Sequence, residues 1–148
     1  MKKNIELKQK IVNSIMKNGN KKTAEKIIKK SLKLLQKNDK KNHIRLLKHS
    51  IINSTPTFKI NVQLKKRGTR KTKKEIPTFI KNDSLRIISS FNFLTENSLK
   101  NKSLNSFYKK IANEILEAAN QKSKSIEQKN EIQKQVLMQK RFLANFRW

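Results

Sequence analysis

The chain has 148 residues, 37 Lys/Arg against 10 Asp/Glu for a net charge of +27, and no cysteine. The cysteine count excludes disulfide frameworks, Cys-containing zinc sites and thiol catalysis together. The charge far exceeds the magnitude of about 2–8 that keeps a small domain soluble, so it calls for a polyanionic partner.

One modest core in a single domain spanning residues 1–148, with a short basic N-terminal arm, suits this length. The charge is uneven: residues 1–81 carry 25 Lys/Arg and 4 Asp/Glu, net +21, and residues 82–148 carry 12 and 6, net +6. No apolar run exceeds three residues, as in Val136-Leu137-Met138, whereas a membrane span needs roughly 20. A soluble protein with no membrane role is expected. The opening MKKNIELKQK has no apolar signal segment, and no cleavable address is expected.

Ile11, Ile15 and Met16 recur at helical spacing ahead of Gly19, which predicts a first helix over about 7–18 with an αL cap. Asn20 then caps a second helix whose apolar stripe is Ala24, Ile27, Ile28, Ser31 and Leu35, ending near Asn38. A third, about 40–53, turns Ile44, Leu47, Ile51 and Ile52 inward and stops before Pro56.

The period then changes. Phe58, Ile60, Val62 and Leu64 alternate strictly with Lys59, Asn61, Gln63 and Lys65, the pattern of a half-buried strand. Lys65 to Lys71 supplies a turn around Gly68, and Thr72 to Ile80 returns as the partner strand with Pro77 on an edge. The apolar base of this ribbon, about residues 57–80, should pack on the helices while its charged tip projects.

Asn82 caps a fourth helix carrying Leu85, Ile88, Phe91 and Leu94. Leu104, Phe107, Tyr108, Ile111, Ala112, Ile115, Leu116 and Ala119 predict a fifth over about 103–119, closed by Asn120. Ser125 and Gln128 fit a capping box for a last helix running to about Asn145. The fold class is therefore mainly α, a bundle of about six helices with one protruding two-stranded β-hairpin.

Three groups of cations are candidates for phosphate contact. Lys65, Lys66, Arg67, Arg70, Lys71, Lys73 and Lys74 place seven charges in ten residues at the ribbon's end, with Lys59 nearer its base. Arg67 and Arg70 are the expected bidentate contacts, because guanidinium geometry matches phosphate. A merely solvated edge would be blunted by a few Lys and not by this density.

Lys2, Lys3, Lys8 and Lys10, with Lys21 and Lys22, form a second basic region near the starts of the first two helices. Cations there oppose the helix dipole unless phosphate satisfies both; the competing reading for Lys2 and Lys3 is a disordered tail. At the C-terminal end Lys140, Arg141 and Arg147 accompany Trp148, which either stacks on a base or ribose or, like Phe142 and Phe146, pins the last helix.

Catalysis finds no support. His43 and His49 share no helix face and lack ligand partners at suitable spacing. Glu114 and Glu117 sit among Lys109, Lys110 and Lys122 and read as solvated ion pairs, and two glycines cannot build a phosphate-cradling loop. No enzyme activity, cofactor or metal is expected.

Four segments resemble the small-subunit ribosomal protein seven family. Gly19-Asn20-Lys21-Lys22-Thr23-Ala24-Glu25-Lys26-Ile27 is similar to the family's G-K-K-S-T-A-E-R-I stretch. Pro56 to Ile80 resembles its P-R-V-E-V ribbon, with Ile76-Pro77 matching a Val-Pro on the return strand. Ala112-Asn113-Glu114-Ile115-Leu116-Glu117-Ala118-Ala119-Asn120 is similar to A-N-E-L-L-D-A-A-N, and Phe142 to Trp148 resembles the closing A-F-x-H-Y-R-W.

The resemblance spans about residues 11–148. It departs at Gly68-Thr69, where the family has paired glycines, and at Asn145, where it has His. It implies a helical domain with a protruding hairpin that binds the 3′ major domain of small-subunit ribosomal RNA. Such a protein organises the subunit head beside the exit-site transfer RNA and the messenger exit path, contacts neighbouring ribosomal proteins and is not a homo-oligomer. By position, Lys21, Lys22, the ribbon cations, Arg86 and Arg147 inherit the RNA-contact role.

Charge and ribbon alone also fit an architectural DNA-binding protein with basic β arms; a membrane-surface protein would have no place for the ribbon. Of the 37 basic residues 31 are Lys, and with abundant Asn and Ile this bias points to an AT-rich organellar gene. A mitochondrial ribosome is the expected location, with a plastid or bacterial one as the alternative.

Overall fold

The computed structural model describes residues 2–38, 42–67, 70–103 and 105–139. Six helices and one hairpin follow in the order α1 (Lys2–Ile15), α2 (Lys21–Asn38), α3 (His43–Ser54), β1 (Phe58–Arg67), β2 (Arg70–Phe79), α4 (Asp83–Lys100), α5 (Phe107–Ala119) and α6 (Lys124–Met138). The mainly α class with one hairpin is as the sequence predicts.

The core gathers around α5, which packs against α2, α3, α4 and α6. Its Ile111, Ala112, Ile115 and Ala118 join Val12 and Ile15 of α1, Ala24 and Leu35 of α2, and Phe91 and Leu94 of α4 in one buried cluster. Burying a Leu or Ile side chain contributes about 1.5–3 kcal/mol, so this cluster supplies most of the driving force for a chain otherwise dominated by Lys.

Several boundaries differ from expectation. The first helix begins at Lys2 and not near residue 7, because Ile5, Glu6, Leu7, Lys8 and Gln9 are acceptable or good helix formers even without an apolar stripe. It ends at Ile15, ahead of a turn in which Asn18 and Gly19 both take positive φ, 52° and 74°. Gly19 thus serves the loop, a conformation that costs it little. Asn20 precedes α2 as expected, its carbonyl accepting the Ala24 amide at 3.3 Å and the Thr23 hydroxyl at 2.7 Å.

The fifth helix starts at Phe107, after Ser106, and not near 103. Leu104 lies outside the described residues. Ile44 and Ile52 of α3 and Leu85 of α4 are exposed and not core members. Leu47 packs against the core cluster as expected, and beside it the inner face of α3 is closed by hydroxyls. Ser50 and Ser54 are fully buried, Ser54 Oγ meets Ser90 Oγ of α4 at 2.7 Å, and the Ser90 hydroxyl reaches the Ile51 carbonyl at 3.1 Å. Small hydrogen-bonded side chains let the two helices approach closely where an aliphatic pattern would hold them apart.

The expected capping box at Ser125 and Gln128 is not formed. The N-cap position of α6 is Ser123, which puts Ser125 at the second helical position and out of register for a box. Glu114 takes over: buried at 6% exposure, it accepts the Ser125 hydroxyl at 2.6 Å and the Ser125 amide at 3.4 Å. A carboxyl group from α5 therefore caps the start of α6. The reading of Glu114 and Glu117 as solvated ion pairs is corrected accordingly: Glu117 is exposed, and neither forms an ion pair among the described residues.

Asn97 of α4 donates to Ser125 Oγ at 3.2 Å and to Gln128 Oε1 at 3.0 Å. Asn53 closes the other end of α5, its amide reaching the carbonyls of Ala118 and Ala119 at 3.0 and 3.3 Å. Lys129 Nζ of α6 donates in turn to the Asn53 carbonyl. The described part of the last helix stops at Met138; its expected continuation to Asn145 lies outside the described residues.

Candidate nucleic-acid interface

The hairpin is antiparallel, with register running from Phe58↔Phe79 through Ile60↔Pro77, Val62↔Glu75 and Leu64↔Lys73 to Lys66↔Lys71 and Arg67↔Arg70. The segment expected as a turn, Lys65 to Lys71, is thus almost all strand, and only residues 68 and 69, outside the described set, connect the two. Alternation continues through the basic stretch, and extended backbone separates consecutive cations better than a turn would.

The base of the ribbon is fixed to the body. Phe58 and Phe79 meet edge to face at 5.8 Å and 68°, an arrangement that complements the ring quadrupoles. Ile80, Pro56 and Pro77 are buried, and β1 packs against α6. The Ile80 amide bonds the Thr57 carbonyl at 3.1 Å. Counting pairs from there places Ile60↔Pro77 at a non-hydrogen-bonded step, where a missing N–H costs the ladder nothing. Farther out the apolar face is bare: Val62 is 53% and Leu64 65% exposed, and among the described residues no helix covers them.

Lys59 and Lys73 are exposed. Lys65, Lys66, Arg67, Arg70, Lys71 and Lys74 occupy strand positions in the outer half. Lys66 faces Lys71 and Arg67 faces Arg70 in the register. Like charges directly opposite destabilise a strand pair, so the outer ribbon is an arrangement the isolated chain would not favour and an anionic partner would relieve.

The second basic region is divided by the structure. Lys2 and Lys3 open α1, whereas Lys21 and Lys22 open α2, next to the far end of α1. A 14-residue helix spans about 20 Å, so these are two separate sites, with Lys8 and exposed Lys10 along the helix between them. Neither helix has an acidic residue in its first turn, which leaves the positive ends of both dipoles uncompensated. Lys21 and Lys22 are exposed.

Arg86, in the first turn of α4, sits 3.6 Å from Asp83, the one ion pair among the described residues, and its Nε is buried without a hydrogen-bond partner there. Lys140, Arg141, Arg147 and Trp148 lie outside the described residues.

Two further cations escape sequence reasoning. Lys17, in the α1–α2 turn, and Lys110, on α5, line one cavity beside the start of α2. They are 93 positions apart, and no periodicity joins them. Lys30 is also engaged, its ammonium 5.5 Å from the Tyr108 ring centre. Among the described residues no group of His, Asp and Glu is placed to hold a metal ion, and no helix is long and apolar enough to cross a membrane.

Comparisons with known proteins give this arrangement a family. The family model described as Ribosomal protein S7p/S5e matches residues 1–140. The chain belongs to this family.

It is 34% identical over 131 residues to the small ribosomal subunit protein uS7c of Bigelowiella natans, covering 87% of this chain and 79% of that one. It is 28% identical to uS7 of Aliivibrio salmonicida over 143 residues, 97% and 87% of the two chains. It is likewise 28% identical to uS7 of Acidithiobacillus ferrooxidans over 139 residues, 94% and 85%. Membership of the S7p/S5e family makes the chain a structural component of the small ribosomal subunit, with ribosomal RNA and other ribosomal proteins as its partners.

Proposed function

We propose that the chain is a primary scaffold for the 3′ major domain of small-subunit RNA, holding it through the outer ribbon, the two lysine-bearing helix starts and Arg86, together with Lys140, Arg141, Arg147 and Trp148. It acts as one RNA-binding domain and not as a catalyst. Within the subunit head it lies beside the exit-site transfer RNA and the messenger path. The single observation that carries this reading is the facing of Lys66 by Lys71 and of Arg67 by Arg70, which a phosphate backbone would convert from repulsion into attraction.

The test is a salt titration of binding to a 3′ major domain transcript. Neutralising Arg67 and Arg70 reduces the slope of log affinity against log salt by about 0.7–0.9 for each phosphate that is no longer neutralised. An unchanged slope, a footprint outside that domain, or equal competition by duplex DNA would sink the reading.

The location we infer is a mitochondrial ribosome, supported by the Lys, Asn and Ile bias of a gene rich in A and T. Curated relatives include chloroplast and bacterial forms, so finding the gene in a plastid or bacterial genome overturns the mitochondrial assignment. The free chain is expected to sediment as a monomer.

A further inference from the structure

Beside the start of α2 an open cavity of about 390 Å3 is bounded by the α1–α2 turn, the end of α4 and the start of α5. Ile27, Leu99 and Phe107 give it an apolar part; Lys17 and Lys110 give it a cationic one. Leu99 is 49% exposed, so the fold leaves much of this surface uncovered. Neither lysine has an ion-pair partner among the described residues. The Lys110 ammonium donates to the carbonyl of Asn101 at 2.8 Å, which holds it in place and leaves two donors.

We propose that this cavity receives one unpaired nucleotide of the bound RNA, its base against Phe107, Leu99 and Ile27 and its phosphate between Lys17 and Lys110. The inference rests on the RNA-scaffold reading above and adds a site to it. The volume is at the small end for ligand cavities, about 300–1,000 Å3, which suits one nucleotide and not a helix. Unstacked bases that are splayed out and laid on an aromatic ring are how proteins read single-stranded RNA. Exposed Lys21 and Lys22 immediately precede Thr23 of the lining in sequence, so a backbone running past the start of α2 would deliver a nucleotide to it.

A larger cleft of about 520 Å3 lies between α1, α2, α3, α4 and α5, but it carries Glu25 and Lys29 together within an otherwise mostly apolar wall. It offers a phosphate no net charge.

One hydroxyl at the smaller cavity adds a polar contact. Thr23 donates to the Asn20 carbonyl at 2.7 Å and Ser98 to the Leu94 carbonyl at 2.6 Å. With its proton committed, the exposed Thr23 oxygen is left as an acceptor, whereas Ser98, 1% exposed, is out of a ligand's reach. Such an acceptor takes a base N–H, either an exocyclic amino group or a ring imino group.

The experiment is chemical probing of a 3′ major domain transcript with dimethyl sulfate, kethoxal and a water-soluble carbodiimide, bound to the wild-type chain or to Leu99→Glu. Leu99 is half exposed, so the variant folds, and its carboxylate enters the cavity. One unpaired nucleotide protected by the wild type regains the reactivity of free RNA, while protections that depend on Arg67 and Arg70 stay in place. Affinity falls on the order of five- to a hundredfold, as expected for one unstacked base.

Lys17→Glu, in an exposed turn, gives the same selective loss and guards against misfolding of the first variant. Full retention of every wild-type protection in both variants overturns the nucleotide site while leaving the scaffold reading intact. Absence of any protection by the wild type overturns the scaffold reading, and the site with it.

Discussion

Leu94 of α4 and Leu64 of β1 each belong to a regular apolar pattern, one at helical spacing and one at strand spacing. The first is fully buried and the second 65% exposed. In the body, α2, α3 and α4 pack against α5, and Leu94 is shut off from water. On the ribbon the same regularity continues past the point where α6 covers it, out into a region where Lys and Arg crowd both strands. Periodicity reports the geometry of an element; it does not report whether a second element is there to cover the face.

The contrast can be broken experimentally. Leu94→Ala should cost about 2–5 kcal/mol, the usual penalty for a cavity in a packed core, read as a lower midpoint in denaturant titration of the free chain. If Leu94→Ala were no worse than Leu64→Ala, the assignment of core to body would be wrong. Glu114→Ala comes next, at about 1–3 kcal/mol, because it leaves the Ser125 hydroxyl and the start of α6 buried without an acceptor. Circular dichroism of that variant should show loss centred on one helix's worth of signal.

The smallest effect is expected at the ribbon. Leu64→Ser should change the stability of the free chain by less than about 0.5 kcal/mol. A larger loss would mean that the outer ribbon is covered in the free protein after all.

Much of this fold was legible because its signals are local. The α2 stripe ends at Asn38 as its period predicts, Asn82 caps α4 with its side chain accepting the Ser84 amide at 3.0 Å, and the alternation after Pro56 marks β1 from its first residue. What the sequence hid was tertiary. Ile44 and Ile52 obey the helical period yet face outward, because buried serines and not aliphatic side chains close the α3–α4 contact.

Glu114 lies among lysines along the chain, yet its partner is a serine eleven residues away on the next helix. Of the candidate contact residues, the ribbon cations were found by density, and Lys21 and Lys22 by their place at a helix start. Lys17 and Lys110 gave no sequence signal, since only folding brings them to one cavity.

Pro77 has a consequence beyond the ladder it leaves intact. At a non-hydrogen-bonded step its nitrogen points away from β1, and because Pro77 is itself buried, an ordinary residue there would bury an N–H with no strand to accept it. The missing N–H falls near the base of the ribbon, where its apolar content is greatest. The base of the ribbon is thus buried with no donor left to satisfy at this position, and the two strands can rise from it as a pair that presents its outer cations to a partner of opposite charge.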